Sequence, residues 1–88
     1  MTDRTAALRA IVAEGVRHNP IASVTDPALL ARLEDPHADC GFDELGYDSL
    51  ARMELCIWLQ VEHGIEIGEG TLLDHPSVVA LAVHLAGR

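Results

Sequence analysis

The residues with chemistry to offer cluster in the segment Asp43 to Leu55, DELGYDSLARMEL. At its centre Ser49 stands between Asp48 and Leu50, where a helix is expected to begin. A serine hydroxyl attacks a carbonyl when a base activates it. No histidine lies near Ser49 in sequence, and GYDSLA lacks the closing glycine of a hydrolase elbow. The position suits a different chemistry. The opening amides of a helix are unpaired and carry partial positive charge. Anions are stabilised there, so a phosphate ester on Ser49 fits the site better than a nucleophile does. The plain alternative is a solvent-facing serine in a first helical turn.

Other groupings carry less. His37, Asp39 and Cys40 with Cys56 or His63 match no zinc spacing, so no metal is expected. The stretch DPHADCGFDE does not follow the acid and glycine positions of a calcium loop. Cys56 falls on an apolar stripe and reads as an inert small hydrophobe. Cys40 lies in a long connection, where exposure is open to it, and nothing gives it a reactive role. His75, before Pro76, reads as a turn residue rather than a base. No catalytic residue emerges.

Three main helices must position Ser49. TAALRAIVAEGVRH, residues 5 to 18, sets Leu8, Ile11, Val12, Gly15 and Val16 at the spacing of one helical face. Asp3 or Thr5 is the expected cap, and Asn19-Pro20 the stop. Residues 19 to 48 form a long connection, with a short helix over 27 to 34 begun by Asp26 and Pro27. SLARMELCIWLQVEH, residues 49 to 63, is the strongest helix, with Asp48 as cap and Gly64 past its end. A short turn over 70 to 75 precedes Pro76, and Ser77 caps a last helix over 77 to 87 with Val78, Leu81, Ala82 and Leu85 on one face. The fold class is all-α: a small three- to four-helix bundle with a long connection between its first two main helices.

With 88 residues the chain reads as a single domain, 1 to 88. A body this small buries about 60 to 70% of its unfolded surface, and its stability is on the order of 5 kcal/mol. A deep substrate cavity would be costly, which favours a binding or carrier module over an enzyme. Fourteen acids against six arginines and no lysine give a net charge of −8. That balance disfavours nucleic acid and anionic membranes and suits a basic partner. No signal peptide or membrane-length apolar run is visible, and two cysteines make no disulfide framework. The expectation is a cytoplasmic protein with reduced thiols.

The central helix carries two apolar stripes. Leu55, Cys56 and Leu59 share one side, with His63 at its border and Trp58 near its edge. Leu50, Met53, Ile57 and Val61 fall on roughly the opposite side, with Glu54 beside them. Either both faces are buried, or the second is exposed to meet a partner.

FDELGYDSLARMEL, with leucine at 59, glycine at 64 and IEI at 65 to 67, resembles the acyl carrier protein family. LLDHPSVVALAVHL, residues 72 to 85, resembles the end of polyketide and related carrier domains, and GYDSLA looks like discrete carriers of aromatic polyketide synthases. The resemblance spans residues 5 to 87. It implies the acyl-carrier-protein bundle, and 4′-phosphopantetheine, taken from coenzyme A, esterified to Ser49 by a magnesium-dependent transferase that reads Asp48 and Leu50. It implies a partner-facing side formed by Leu50, Met53, Glu54, Ile57 and Val61, and a core holding Leu55, Leu59 and Ile67. A monomeric carrier would then hold a biosynthetic intermediate as a thioester and deliver it to loading, condensing or tailoring enzymes of polyketide or related secondary metabolism.

The chain departs from the pattern in two places. His63 stands where many members carry a core aromatic residue, and Gln60 and Val61 replace a region that is often acidic. A more apolar partner surface follows. The acyl cargo is not legible, and a peptidyl, aminoacyl or aryl carrier, or an unmodified helical interaction module, stands as the alternative.

Overall fold

The computed structural model describes residues 2 to 88, and the described residues form an all-helical bundle. Its helices are α1 (Asp3–Arg17), α2 (Pro27–Glu34), α3 (Ser49–His63), α4 (Glu69–Asp74) and α5 (Val78–Ala86). Among the described residues the extended pairing is a single antiparallel bridge between Gly41 and Ser77.

The cap of α1 is Thr2, not Asp3 or Thr5: its side chain accepts from the Thr5 amide at 3.1 Å. Capping needs the acceptor before the turn whose amide it satisfies. Thr5 instead lies buried one turn in, its hydroxyl 2.8 Å from that of Thr2. Val12, Gly15 and Val16 are buried, and Leu8 and Ile11 partly so. A Cβ on Gly15 would lie 2.7 Å from Leu55 Cδ1 and 2.8 Å from Trp58 Cε3, so only glycine lets α1 approach α3 this closely. At the other end of α3, Gly64 adopts φ 65°, and the Ile65 amide reaches back to the Leu59 carbonyl at 3.1 Å. That pairing satisfies carbonyls the helix end leaves open.

The long connection packs on the body rather than trailing over it. Asp26 caps α2 through the Ala28 amide at 2.9 Å. Arg9, on α1, is almost fully buried. Its guanidinium donates to the carbonyls of Arg32, Leu33 and Ala38 at 2.8 to 3.1 Å. Two of these carbonyls close α2, where backbone dipoles favour a cation. Asp39 ties the connection to α5, accepting from the Val79 amide at 2.9 Å and the Cys40 amide at 2.7 Å. Cys40 is therefore fully buried, contrary to the exposure open to it in sequence, because its backbone is held against the start of α5: its carbonyl accepts from Val78 at 3.0 Å.

α5 packs chiefly on α1, and Val78, Leu81, Ala82 and Leu85 face the core. Ser77 caps it through the Ala80 amide at 3.0 Å. Leu55 and Leu59 are completely buried, while Ile67 is only partly so, a shift from the core position the resemblance implies.

Candidate functional site

A tight turn delivers the chain to α3. Gly46 takes φ 74°, its amide donating to the Asp43 carbonyl at 3.1 Å, and Tyr47 then turns inward. The Tyr47 ring stacks on Phe42 with centroids 5.4 Å apart. Burial, opposed by a hydrogen bond from Asn19, pushes its phenol up to about 12. Asp48 follows in extended conformation and caps α3, accepting from the Ala51 amide at 2.9 Å. Ser49 is the first helical residue and is exposed. Its own amide and that of Leu50 precede the first amide that donates within the helix, Arg52 to the Asp48 carbonyl at 3.0 Å, so both stand unpaired at the helix start.

Two residues that periodicity does not single out fix this first turn. Asn19, read in sequence only as part of a helix stop, is buried. Its Nδ2 donates to the Ala51 carbonyl at 2.9 Å and to the Tyr47 hydroxyl at 3.1 Å. Its Oδ1 accepts from the amides of Ile21 and Ala22. Arg52 binds Glu69 of α4, with Nε and Nη2 at 3.0 and 2.9 Å from the same carboxylate oxygen, and Nη1 reaches the Tyr47 carbonyl at 3.4 Å. A buried asparagine after a helix and an arginine seventeen residues before a glutamate carry no periodic signal.

The second stripe of α3 faces solvent. Leu50 is 62% exposed, Met53 48%, Ile57 52% and Val61 73%. Glu54 beside them is half-buried. A helix with both faces buried is thereby excluded, and the row of large apolar side chains is an unpartnered surface starting next to Ser49. Beside it a groove of about 320 Å³ opens between α3 and the start of α4, lined by Met53, Cys56, Ile57, Gln60, Ile67, Gly68 and Glu69.

Cys56 is buried at this groove, and burial, with Glu69 nearby, raises its thiol above the ordinary range. Burial likewise pushes up Cys40. Thiols held protonated are poor nucleophiles. His63 is exposed and packs its ring 5.2 Å from Trp58, so it lies outside the core. The packing at this border is made by Trp58, half-buried between His63 and His18. His75 closes α4, its amide donating to the Thr71 carbonyl at 3.0 Å, and its ring stacks on His84 with centroids 4.1 Å apart. Among the described residues no three metal-ligating side chains converge.

Ser49 thus presents an exposed hydroxyl at the mouth of a capped helix whose first turn is fixed from both sides. The chain matches the family of phosphopantetheine attachment sites over residues 6–85. It is 46% identical over 51 residues to the polyketide synthase GfsA of Streptomyces halstedii, covering 58% of this chain and 1% of that protein. It is 32% identical over 83 residues to the highly reducing polyketide synthase NEC1 of Pyricularia oryzae, covering 94% of this chain and 3% of that protein. With the erythronolide synthase EryA2 of Saccharopolyspora erythraea it shares 45% identity over 47 residues, 53% of this chain and 1% of that protein. The chain thus spans only a few hundredths of these relatives' length. By the extent of the family match, it belongs to the phosphopantetheine attachment family of carrier domains.

Proposed function

We propose that this chain is an acyl carrier protein of polyketide-type metabolism, with 4′-phosphopantetheine esterified to Ser49. The observation that carries the reading is the placement of Ser49: exposed, first in α3, inside DSL, next to a cap that leaves two outward amides. These groups fit a phosphate. The Ser49 and Leu50 amides and the positive end of α3 stabilise its charge. Asp48 keeps the helix start closed while Leu50 stands clear for a transferase to read. When bound, the arm supplies a terminal thiol that holds an acyl group as a thioester.

The chain's own part is to present, orient and shield. It catalyses no step, acts as one monomeric carrier domain, and works with a phosphopantetheinyl transferase and with loading, condensing or tailoring enzymes. Leu50, Met53, Glu54, Ile57 and Val61 form the face those enzymes grip, with apolar contact taking the larger share and the net charge of −8 favouring basic rims. Two free buried cysteines support a reducing, cytoplasmic setting, and no helix among the described residues is long and apolar enough to cross a membrane.

The test is direct. Incubated with coenzyme A, magnesium and a broad-specificity transferase, the protein gains the mass of one phosphopantetheinyl group, and Ser49→Ala gains nothing. An unchanged parent mass overturns the assignment.

A further inference from the structure

Arg52 pins the start of α4, at the edge of the groove, to α3 through its pair with Glu69. Its guanidinium and the Glu69 carboxylate are mostly withdrawn from water, with side chains 19% and 31% exposed. Little else secures the start of α4. Gly68 caps it without a side-chain hydrogen bond, Gly70 follows Glu69, and neither glycine has a neighbour within 4 Å of where a Cβ would stand. At six residues, α4 is too short to be stable by itself. Leu72 anchors its middle in the core, so the Arg52–Glu69 pair decides where its first turn lies. That same Glu69 lines the groove with Gly68, Ile67 and Cys56.

Arg52 also stands one turn from Ser49 on the same helix. Residues three apart have Cβ atoms roughly 5 to 6 Å from each other, well within the length of an arginine side chain. It is the only arginine of α3. A phosphodiester on Ser49 would add a second anion within its reach, and the planar guanidinium fork suits phosphate as well as carboxylate.

We propose that Arg52 is shared between Glu69 and the phosphodiester on Ser49, so that modification of Ser49 loosens the first turn of α4 and opens the α3–α4 groove. The inference rests on the attachment reading above. Arg52 acts as a positioning residue: one cation couples the state of the attachment point to the mouth of the neighbouring groove. No covalent step is required beyond the modification itself.

Amide hydrogen exchange of the unmodified and modified forms tests this, with conversion verified by intact mass. Failure of the mass to change speaks against the attachment reading. Failure of exchange to respond in a protein that has gained the mass speaks against the coupling alone. In the parent chain, modification should speed exchange of the α4 amides of Thr71 to His75 about fivefold, the scale of losing one partly exposed ion pair. Glu69→Gln and Arg52→Gln should each show that faster exchange before modification and no further change after it. The Arg52 Nε–H resonance of the parent should shift on modification. Unaltered α4 exchange in the modified parent overturns the proposal. So does an equal acceleration in modified Arg52→Gln, which would assign the opening to the arm rather than to its phosphate.

Discussion

The two sides of α3 are secured by different means. Towards α1 and the long connection, Leu55 and Leu59 are fully buried, Gly15 brings the helices together, and Arg9 and Asn19 fill their hydrogen bonds inside the protein. Towards α4 the side chains of Met53, Ile57 and Val61 stand in water, and a six-residue helix with Gly68 and Gly70 at its start is held by buried Leu72 and one ion pair. Buried polar groups with every partner in place rigidify a structure, because each unmade bond costs more than a made one contributes. Exposed apolar groups do the reverse: their stabilisation is still to be realised, on contact with another surface. The first side keeps a position; the second keeps an option.

The sharpest way to break that contrast is Arg9→Ala. It strands three carbonyls around an empty space, and the expected loss is about 3 kcal/mol, a large part of the stability of a chain this size. Urea unfolding monitored through Trp58 would report it. A loss under about 1 kcal/mol would mean that the polar pins do not make the first side firm.

Alkaline pH attacks the same side through Tyr47, whose folded phenol is raised to about 12 from 10.0 by burial. An acid with a raised folded pKa contributes in full below its unfolded value and loses that contribution as pH climbs through the folded one. Stability should therefore hold up to about pH 10 and fall by about 2 to 3 kcal/mol by pH 12. Tyr47 is the only tyrosine, so phenolate absorbance follows it cleanly. Tyr47→Phe should flatten most of the slope, leaving a remainder from Cys40 and Cys56, whose thiols are raised in the same sense. An unaltered slope would assign the alkaline loss elsewhere.

The smallest effect on folding belongs to the other side. Val61→Glu, at a position 73% exposed, should change stability by less than about 0.5 kcal/mol while weakening a cognate enzyme's binding about tenfold. Unimpaired coupling with every pathway enzyme would remove Val61 from the docking face.

What was readable in sequence divides along the same line. Apolar periodicity and turn chemistry are local, and they locate α2, α3 and α5 together with the Asp48, Gly64 and Ser77 ends. The two stripes of α3 were equally plain, but not which of them faces water, since that depends on which helices fold back against it. The cap of α1 was expected at Asp3 or Thr5 and falls on Thr2, because Thr5 is buried one turn in and itself donates its amide to Thr2. Cys40, Arg9, Asn19 and the Arg52–Glu69 pair escaped for a common reason. Each is defined by a partner 17 to 38 residues away, and single polar residues leave no repeating pattern.

Asn19 has one more consequence. By bonding both the Ala51 carbonyl and the Tyr47 hydroxyl, it ties the end of the first helix to the root of the third. The origin of any swinging appendage on Ser49 is thus a fixed coordinate in the body, not a point on a wandering loop. An enzyme that clasps the third helix has also fixed the centre of the sphere its cargo can sweep, and needs only a pocket somewhere within that radius.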